Sequence, residues 1–171
     1  MKILQALPAL YSGGVERGTV EFAAELVKRG HQSFVVSNGG PMAEQVRGQG
    51  STHIHMPIHR KTPASFGQVL PMRKLLQELK PDIVHVRSRM PAWIIHLALK
   101  TLPQHERPAI VSTFHGMYSV NPYSAIMARA DQVIAVSNCV RDYVLENFPV
   151  PENKLTVIQR GVNIDAFRNR A

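Results

Sequence analysis

The sequence predicts an α/β fold: a doubly wound, mostly parallel sheet with helices on both faces. Two observations carry this. Six or seven short runs rich in Val and Ile alternate along the chain with apolar stripes at helical spacing. Residues 132–158 read as one complete βαβ unit. In that unit a β-branched run at 132–136 has the character of a strand buried on both faces, and Ser137 or Asn138 supplies a helix N-cap. Val140, Val144, Leu145 and Phe148 recur at helical spacing, Pro149 and Pro151 stop the pattern, and 155–158 forms a second strand. Parallel strands so joined leave their carboxyl ends, here Ser137 and Arg160 with Gly161, along one rim, where open α/β sheets bind ligands.

From the N-terminus, residues 2–7 form a first strand, and the loop after it ends in Gly13-Gly14 before a stripe of Val15, Thr19, Phe22, Ala23 and Leu26. Two glycines let the backbone approach a ligand closely, and free amides at a helix start favour a phosphate. A tight turn alone explains the pair equally well. Two better-known phosphate motifs fail here. The glycines at 13, 14 and 18 do not make Gly-x-Gly-x-x-Gly, and Thr19 stands where a P-loop needs Lys.

Residues 32–36 make a second strand, 42–49 a short helix closed by Gly50, and 52–56 a third strand. His53 and His55 share a face of it, with His59 close behind. With no carboxylate or cysteine near, they read as polar residues on a solvated face rather than metal ligands. A basic helical region follows at 64–80. Phe66, Val69, Leu70, Leu75, Leu76 and Leu79 supply its apolar side, and Pro71 kinks or restarts it. A helix packed on the sheet is the simpler reading of this region, and a basic amphipathic membrane contact is the other.

The strand at 83–86 delivers Arg87, Ser88 and Arg89 to the ligand rim, and the arginines suit anionic groups. His85, inside the strand, reads as a hydrogen-bonded core histidine. Pro91 opens the next helix, with Ile94, Ile95, Ala98 and Leu102 inward. The strand at 109–113 then carries Phe114, His115 and Gly116 to the rim. An imidazole there is placed to hydrogen-bond a ligand or to stabilise developing charge, although a lone histidine after a strand is more often structural than catalytic. Tyr118, Asn121 and Tyr123 of the following loop are candidates for lining a ligand pocket or for packing on their own loop, and 123–129 forms a short helix.

Composition narrows the partners. A 44% hydrophobic, 19% charged chain of 171 residues suits one soluble domain, and no stretch approaches the roughly 20 apolar residues of a membrane span. Met1-Lys2-Ile3 enters a strand rather than a signal peptide, so a cytoplasmic location is expected. The single cysteine, Cys139, excludes an internal disulfide and reads as a small buried packing residue. A net charge of +8 favours anionic partners. The basic residues are spread among helices without interleaved aromatics, so nucleic acid is not expected, and a membrane face or anionic substrate is.

Ala130-Asp131-x-Val133-Ile134-Ala135-Val136-Ser137, followed by Val157-Ile158-x-x-Gly161-Val162-Asn163-x-x-x-Phe167, resembles the end of the N-terminal domain of retaining family 4 glycosyltransferases. The resemblance extends through nearly the whole chain and implies one Rossmann-like lobe, residues 1–167, of a two-domain GT-B fold. Residues 168–171 would then begin an interdomain linker or tail, with the C-terminal donor-binding domain absent. Arg160 stands where many relatives have Asn, and Asn163 where many have Asp. Arg before Gly-Val resembles a bacterial subset tied to lipopolysaccharide and other envelope polysaccharide synthesis.

The resemblance assigns roles residue by residue. Gly13-Gly14-Val15-Glu16 is similar to the family's turn near the donor diphosphate and the acceptor, with Glu16 and Arg17 as polar contacts; Ser137, Arg160 and Gly161 share that rim. Thr113-Phe114-His115-Gly116 resembles the block whose histidine lies beside the transferred sugar. Arg87, Ser88, Arg89 and the 116–123 loop fall where the family holds acceptor. It implies transfer from a nucleotide diphosphate sugar to a glycan or lipid acceptor with retention, no metal or cofactor, and peripheral contact with the inner face of the plasma membrane. The fragment alone is then expected to be inactive. A non-catalytic module binding a nucleotide or anionic partner is the alternative; a Rossmann oxidoreductase is disfavoured by the failed fingerprint.

Overall fold

The computed structural model describes residues 1–161. Over that span one sheet contains β1 (Lys2–Ala6), β2 (Gln32–Ser37), β3 (Thr52–His55), β4 (Ile83–Val86), β5 (Ala109–Phe114), β6 (Gln132–Ala135) and β7 (Leu155–Val157). The order is β3-β2-β1-β4-β5-β6-β7, and every neighbouring pair is parallel. The helices are α1 (Gly14–Lys28), α2 (Ala43–Gly48), α3 (Val69–Leu79), α4 (Arg89–Lys100) and α5 (Asn138–Asn147), with 3₁₀ turns such as Pro63–Gln68 and Ser124–Arg129. Asn163 and Phe167, the expected boundary at 167 and the 168–171 tail lie outside the described residues.

The winding reverses at β1. From there the chain steps outward through β2 to β3, returns to β4 on the other side of β1, and steps the opposite way to β7. Right-handed crossovers therefore put α1 and α2 on one face and α3, α4 and α5 on the other. Two cores match this division. Leu7, Val20, Ala23, Val35 and Val46 form one, and Leu4, Val84, Ile94, Phe114, Val133 and Val144 belong to the other. The reversal opens a crevice at the carboxyl ends of β1 and β4, where ligands enter such sheets.

Because α1 and α2 step only toward β3, no helix among the described residues covers their face over β4 to β7. Ile83, Val111, Ile134, Val136 and Ile158 instead line an open groove of about 880 Å³ beside α1. This corrects the reading of residues 132–136 as buried on both faces: Val133 and Ala135 are buried, whereas Ile134 and Val136 are half-exposed. The stripe of α1 shifts for the same reason. Val20 is buried with Thr19, Ala23 and Leu26, while Phe22 stands 39% exposed at the groove.

The 64–80 region divides in two. A 3₁₀ turn leads into α3 at Val69, so Pro71 falls within the first helical turn, where its missing N–H is no loss. Met72 and Leu76 are the buried residues of α3; Phe66 and Leu70, expected on its apolar side, are exposed. Cys139 is likewise exposed rather than buried, because Val140 and Val144 take the inward stripe of α5. Ser137 is the N-cap of that helix, its hydroxyl accepting from the Val140 amide at 3.2 Å. No helix among the described residues is long and apolar enough to cross a membrane.

Candidate functional site

The first turn of α1 stands at the reversal point of the sheet. Gly13, its N-cap, makes no side-chain cap, and the Arg17 amide is bonded to the Gly13 carbonyl at 3.0 Å. The amides before Arg17 have no helical carbonyl to reach and face the rim, which favours an anion there. Gly14 is small for a reason of space: a Cβ on it would stand 2.6 Å from Arg160 Nη1. One turn later, a Cβ on Gly18 would stand 3.1 Å from Arg160 Nη2 and 3.3 Å from Arg87 Nη2. Two guanidiniums therefore converge on the same strip of helix.

Arg87 follows β4, its amide bonded to the Ala6 carbonyl of β1 at 3.0 Å. Its side chain is 8% exposed. Nη1 donates to Gln5 Oε1 at 3.2 Å, and Nε has no partner. Gln5 is itself wholly buried and held in place by Nε2 donating to the Thr19 carbonyl at 3.2 Å. Among the described residues no carboxylate forms an ion pair with Arg87 or Arg160. Burial, and then Arg160, lower the Arg87 pKa to about 10, against the opposing influence of Glu16, so the group stays charged at neutral pH. A buried cation without a counter-ion is unfavourable until a ligand supplies one.

His115 reaches the same rim directly after β5. It is half-buried with Nε2 unpartnered, and burial, followed by Arg87 and Arg160, lowers its pKa to about 4. The ring is neutral at pH 7, with one N–H to give and one lone pair to receive. His85 is the core histidine expected from sequence: it is 7% exposed and bonded to Thr113 Oγ1 at 2.7 Å. Burial takes its pKa to about 3, and the Phe22 ring stands edge-on to it at 5.9 Å.

Other candidates occupy neighbouring layers. Ser88 is the N-cap of α4 and Arg89 its first residue, so both belong to the helix start rather than to a loop. The Arg89 guanidinium lies 4.8 Å from the Tyr118 ring and 5.2 Å from the Tyr123 ring, and it donates to Ser124 Oγ at 3.1 Å. Asn121 Oδ1 accepts from the Ser124 amide at 2.8 Å and closes the turn. These contacts shape the 117–123 loop, whereas Arg87, His115, Arg160 and Gly161 line the groove. Glu16 folds back onto Gly13, and a side chain at Gly116 or Gly161 would meet open space.

Sequence reasoning missed Gln5 and weighed Gly18 only as a glycine out of register. The available signal was an amide between Leu4 and Ala6 in an otherwise apolar strand. Among the described residues no three metal-ligating side chains cluster; His53 is bonded to Ser37 Oγ at 2.9 Å instead.

Comparison with known proteins follows the same lines. A glycosyltransferase from Rickettsia africae ESF-5 superposes with a TM-score of 0.81 and 39% identity, over 96% of this chain and 44% of that one. Anabaena Alr3699/HepE, solved in complex with UDP and glucose, gives 0.72 and 19% over 96% and 46%. The lipopolysaccharide outer core galactosyltransferase WaaB in its apo form gives 0.73 and 16% over 96% and 47%. The last two, at such identities, speak for the fold alone. No curated protein sequence matches significantly. The chain spans slightly less than half the length of these solved relatives. The family model for Glycosyltransferase Family 4 matches residues 12–166, nearly the entire sequence, and the chain belongs to that family.

Proposed function

We propose that the complete protein transfers a sugar from a nucleotide diphosphate sugar to a glycan or lipid acceptor with retention of configuration, in the synthesis of lipopolysaccharide or another cell-envelope polysaccharide. The observation that carries this reading is the convergence of Gly14, Arg87, His115 and Arg160 at the reversal point of a parallel sheet. The free amides of α1 and Arg160 offer positive potential to a diphosphate. Neutral His115 bonds a hydroxyl of the transferred sugar without adding charge beside two guanidiniums. Arg87 lies deeper, toward the acceptor.

The reaction as proposed uses no metal: donor phosphate helps to deprotonate the acceptor, and a second lobe holds the nucleotide. A cytoplasmic location, with peripheral contact at the membrane's inner face, belongs to the same proposal. It is supported by exposed Phe66 and Leu70 near exposed Arg60 and Lys61. A panel of nucleotide sugars offered to the complete protein tests the function. Turnover of at least one donor, with the anomeric configuration kept in the product, is expected. Stoichiometric binding of nucleotides with no turnover of any donor would instead establish the non-catalytic module.

A further inference from the structure

The Gly13-Gly14 turn is reached through a loop that is anchored on the neighbouring crossover. Main-chain hydrogen bonds tie residues 7–10 to residues 36–42. The Leu7 amide donates to the Val36 carbonyl at 3.2 Å, Asn38 to Pro8 at 3.0 Å, Leu10 to Gly39 at 2.8 Å and Met42 to Leu10 at 3.0 Å. Leu7 and Leu10 are wholly buried in the core shared with α1 and α2. The fit is close at Gly40, where φ is +137° and a Cβ would stand 2.4 Å from the Leu10 carbonyl oxygen. Among the described residues no main-chain hydrogen bond holds Tyr11 or Ser12, so Leu10 is the last fixed point before the turn.

Behind Gly39 stands a relay of side chains. The Gly39 amide donates to Ser37 Oγ at 3.1 Å, and the same oxygen lies 2.9 Å from His53 Nε2. Arg47 Nη2 lies 3.3 Å from His53 Nδ1, and Glu44 of α2 bonds Arg47. A guanidinium can only donate, so Nδ1 is the acceptor, and the ring proton sits on Nε2 facing Ser37. Burial, then Arg47 and His55, lower the His53 pKa, which favours this neutral form. The Ser37 hydroxyl oxygen thus accepts two N–H groups, one from β3 and one from the loop after β2.

We infer that His53 is a positioning residue for the proposed sugar transfer: through Ser37 and Gly39 it fixes Leu10, and through Leu10 the Gly13-Gly14 turn. This rests on the transferase reading above and adds to it a residue outside the groove. His53 belongs to the edge strand β3, two strands from β1, and does not line the groove. The first-turn amides of α1 act on charge that grows as the nucleotide diphosphate leaves, so their alignment counts more in the transition state than in bound donor. Loosening Leu10 therefore lowers kcat more than it raises KM.

Substitutions at four points separate the relay from packing. His53→Phe keeps a ring and loses both hydrogen bonds, His53→Gln keeps an N–H for Ser37, and Ser37→Ala removes the shared acceptor. His55→Gln, at an exposed position of the same strand, is the control. In the 171-residue protein, amide hydrogen exchange at Leu10 is expected to quicken about tenfold in His53→Phe and Ser37→Ala, the effect of one lost hydrogen bond. The Gly13 and Gly14 amide resonances are expected to shift with it, at an unchanged melting temperature. His53→Gln is expected to restore slow exchange, and His55→Gln to keep it. In the complete protein with its accepted donor, His53→Phe is expected to lower kcat on the order of tenfold with donor KM within about twofold, and His53→Gln to recover the rate. Unchanged Leu10 exchange in His53→Phe would overturn the relay. Quickened exchange with full kcat would overturn the positioning role, as would equal loss of rate in His53→Gln and His53→Phe. Absence of turnover by the unsubstituted complete protein would sink the transferase reading and the positioning role with it, while the exchange result still decides the relay.

Discussion

His85 and His115 show how burial beside Arg87 sets protonation in this rim. Both rings are held neutral, with pKa values of about 3 and about 4 against 6.5 for an unburied imidazole. The unfolded chain therefore takes up protons first as pH falls. The stability these rings contribute is fully present above about pH 6.5 and is lost progressively toward pH 4. Melting temperature is expected to fall over that window, and a His115→Gln variant to fall less steeply; equal slopes would show that the ring is not held neutral. Gly18 bears on the same guanidiniums. Gly18→Ala is expected to stabilise α1 by up to about 1 kcal/mol in urea unfolding while weakening anion binding. A variant with unchanged affinity would mean that the arginines do not need that gap. At this scale the placement of His115 directly after a strand and of Gly14 at a helix start was legible, while their proposed roles came from the family resemblance. Gln5 and Gly18 were not, because their importance lies in what Arg87 and Arg160 do after the chain has folded.

Elements whose signals are local followed the sequence closely. The cap, stripe and proline stop of α5 all lie within a dozen or so residues, and Ser137 caps that helix. Ser137→Ala is expected to cost about 1 kcal/mol in the same unfolding measurement; no change would show that water replaces the cap freely. The misread elements depended on distant neighbours. Whether Ile134 and Val136 of the β6 region are covered depends on how many helices cross that face, which no window around β6 contains. Phe22 and Val20 exchanged places for the same reason. Arg89, a candidate for anionic groups by its place after a strand in the family, also packs its guanidinium on two tyrosine rings and donates to Ser124, contacts that no local window shows.

For the molecule as a whole, strand order organises the site. Reversal between β1 and β4 brings the α1 turn, Arg87 and His115 to one crevice, and it leaves the β4 to β7 half of one face open as a groove. Alternation of strands and helices was enough to infer the doubly wound class, but not where the winding turns back. The groove is open, and the chain spans slightly less than half the length of the matched relatives; both suit the second lobe proposed above. The 171-residue protein alone is accordingly expected to show no turnover in a nucleotide-sugar hydrolysis or transfer assay; clear turnover would contradict the need for a second lobe. The most direct measurement is the steady-state rate of His115→Ala in the complete protein with its accepted donor. A loss of about 100-fold in kcat at an unchanged melting temperature is predicted. Retention of the full rate would contradict the claim that this rim is where sugar is transferred.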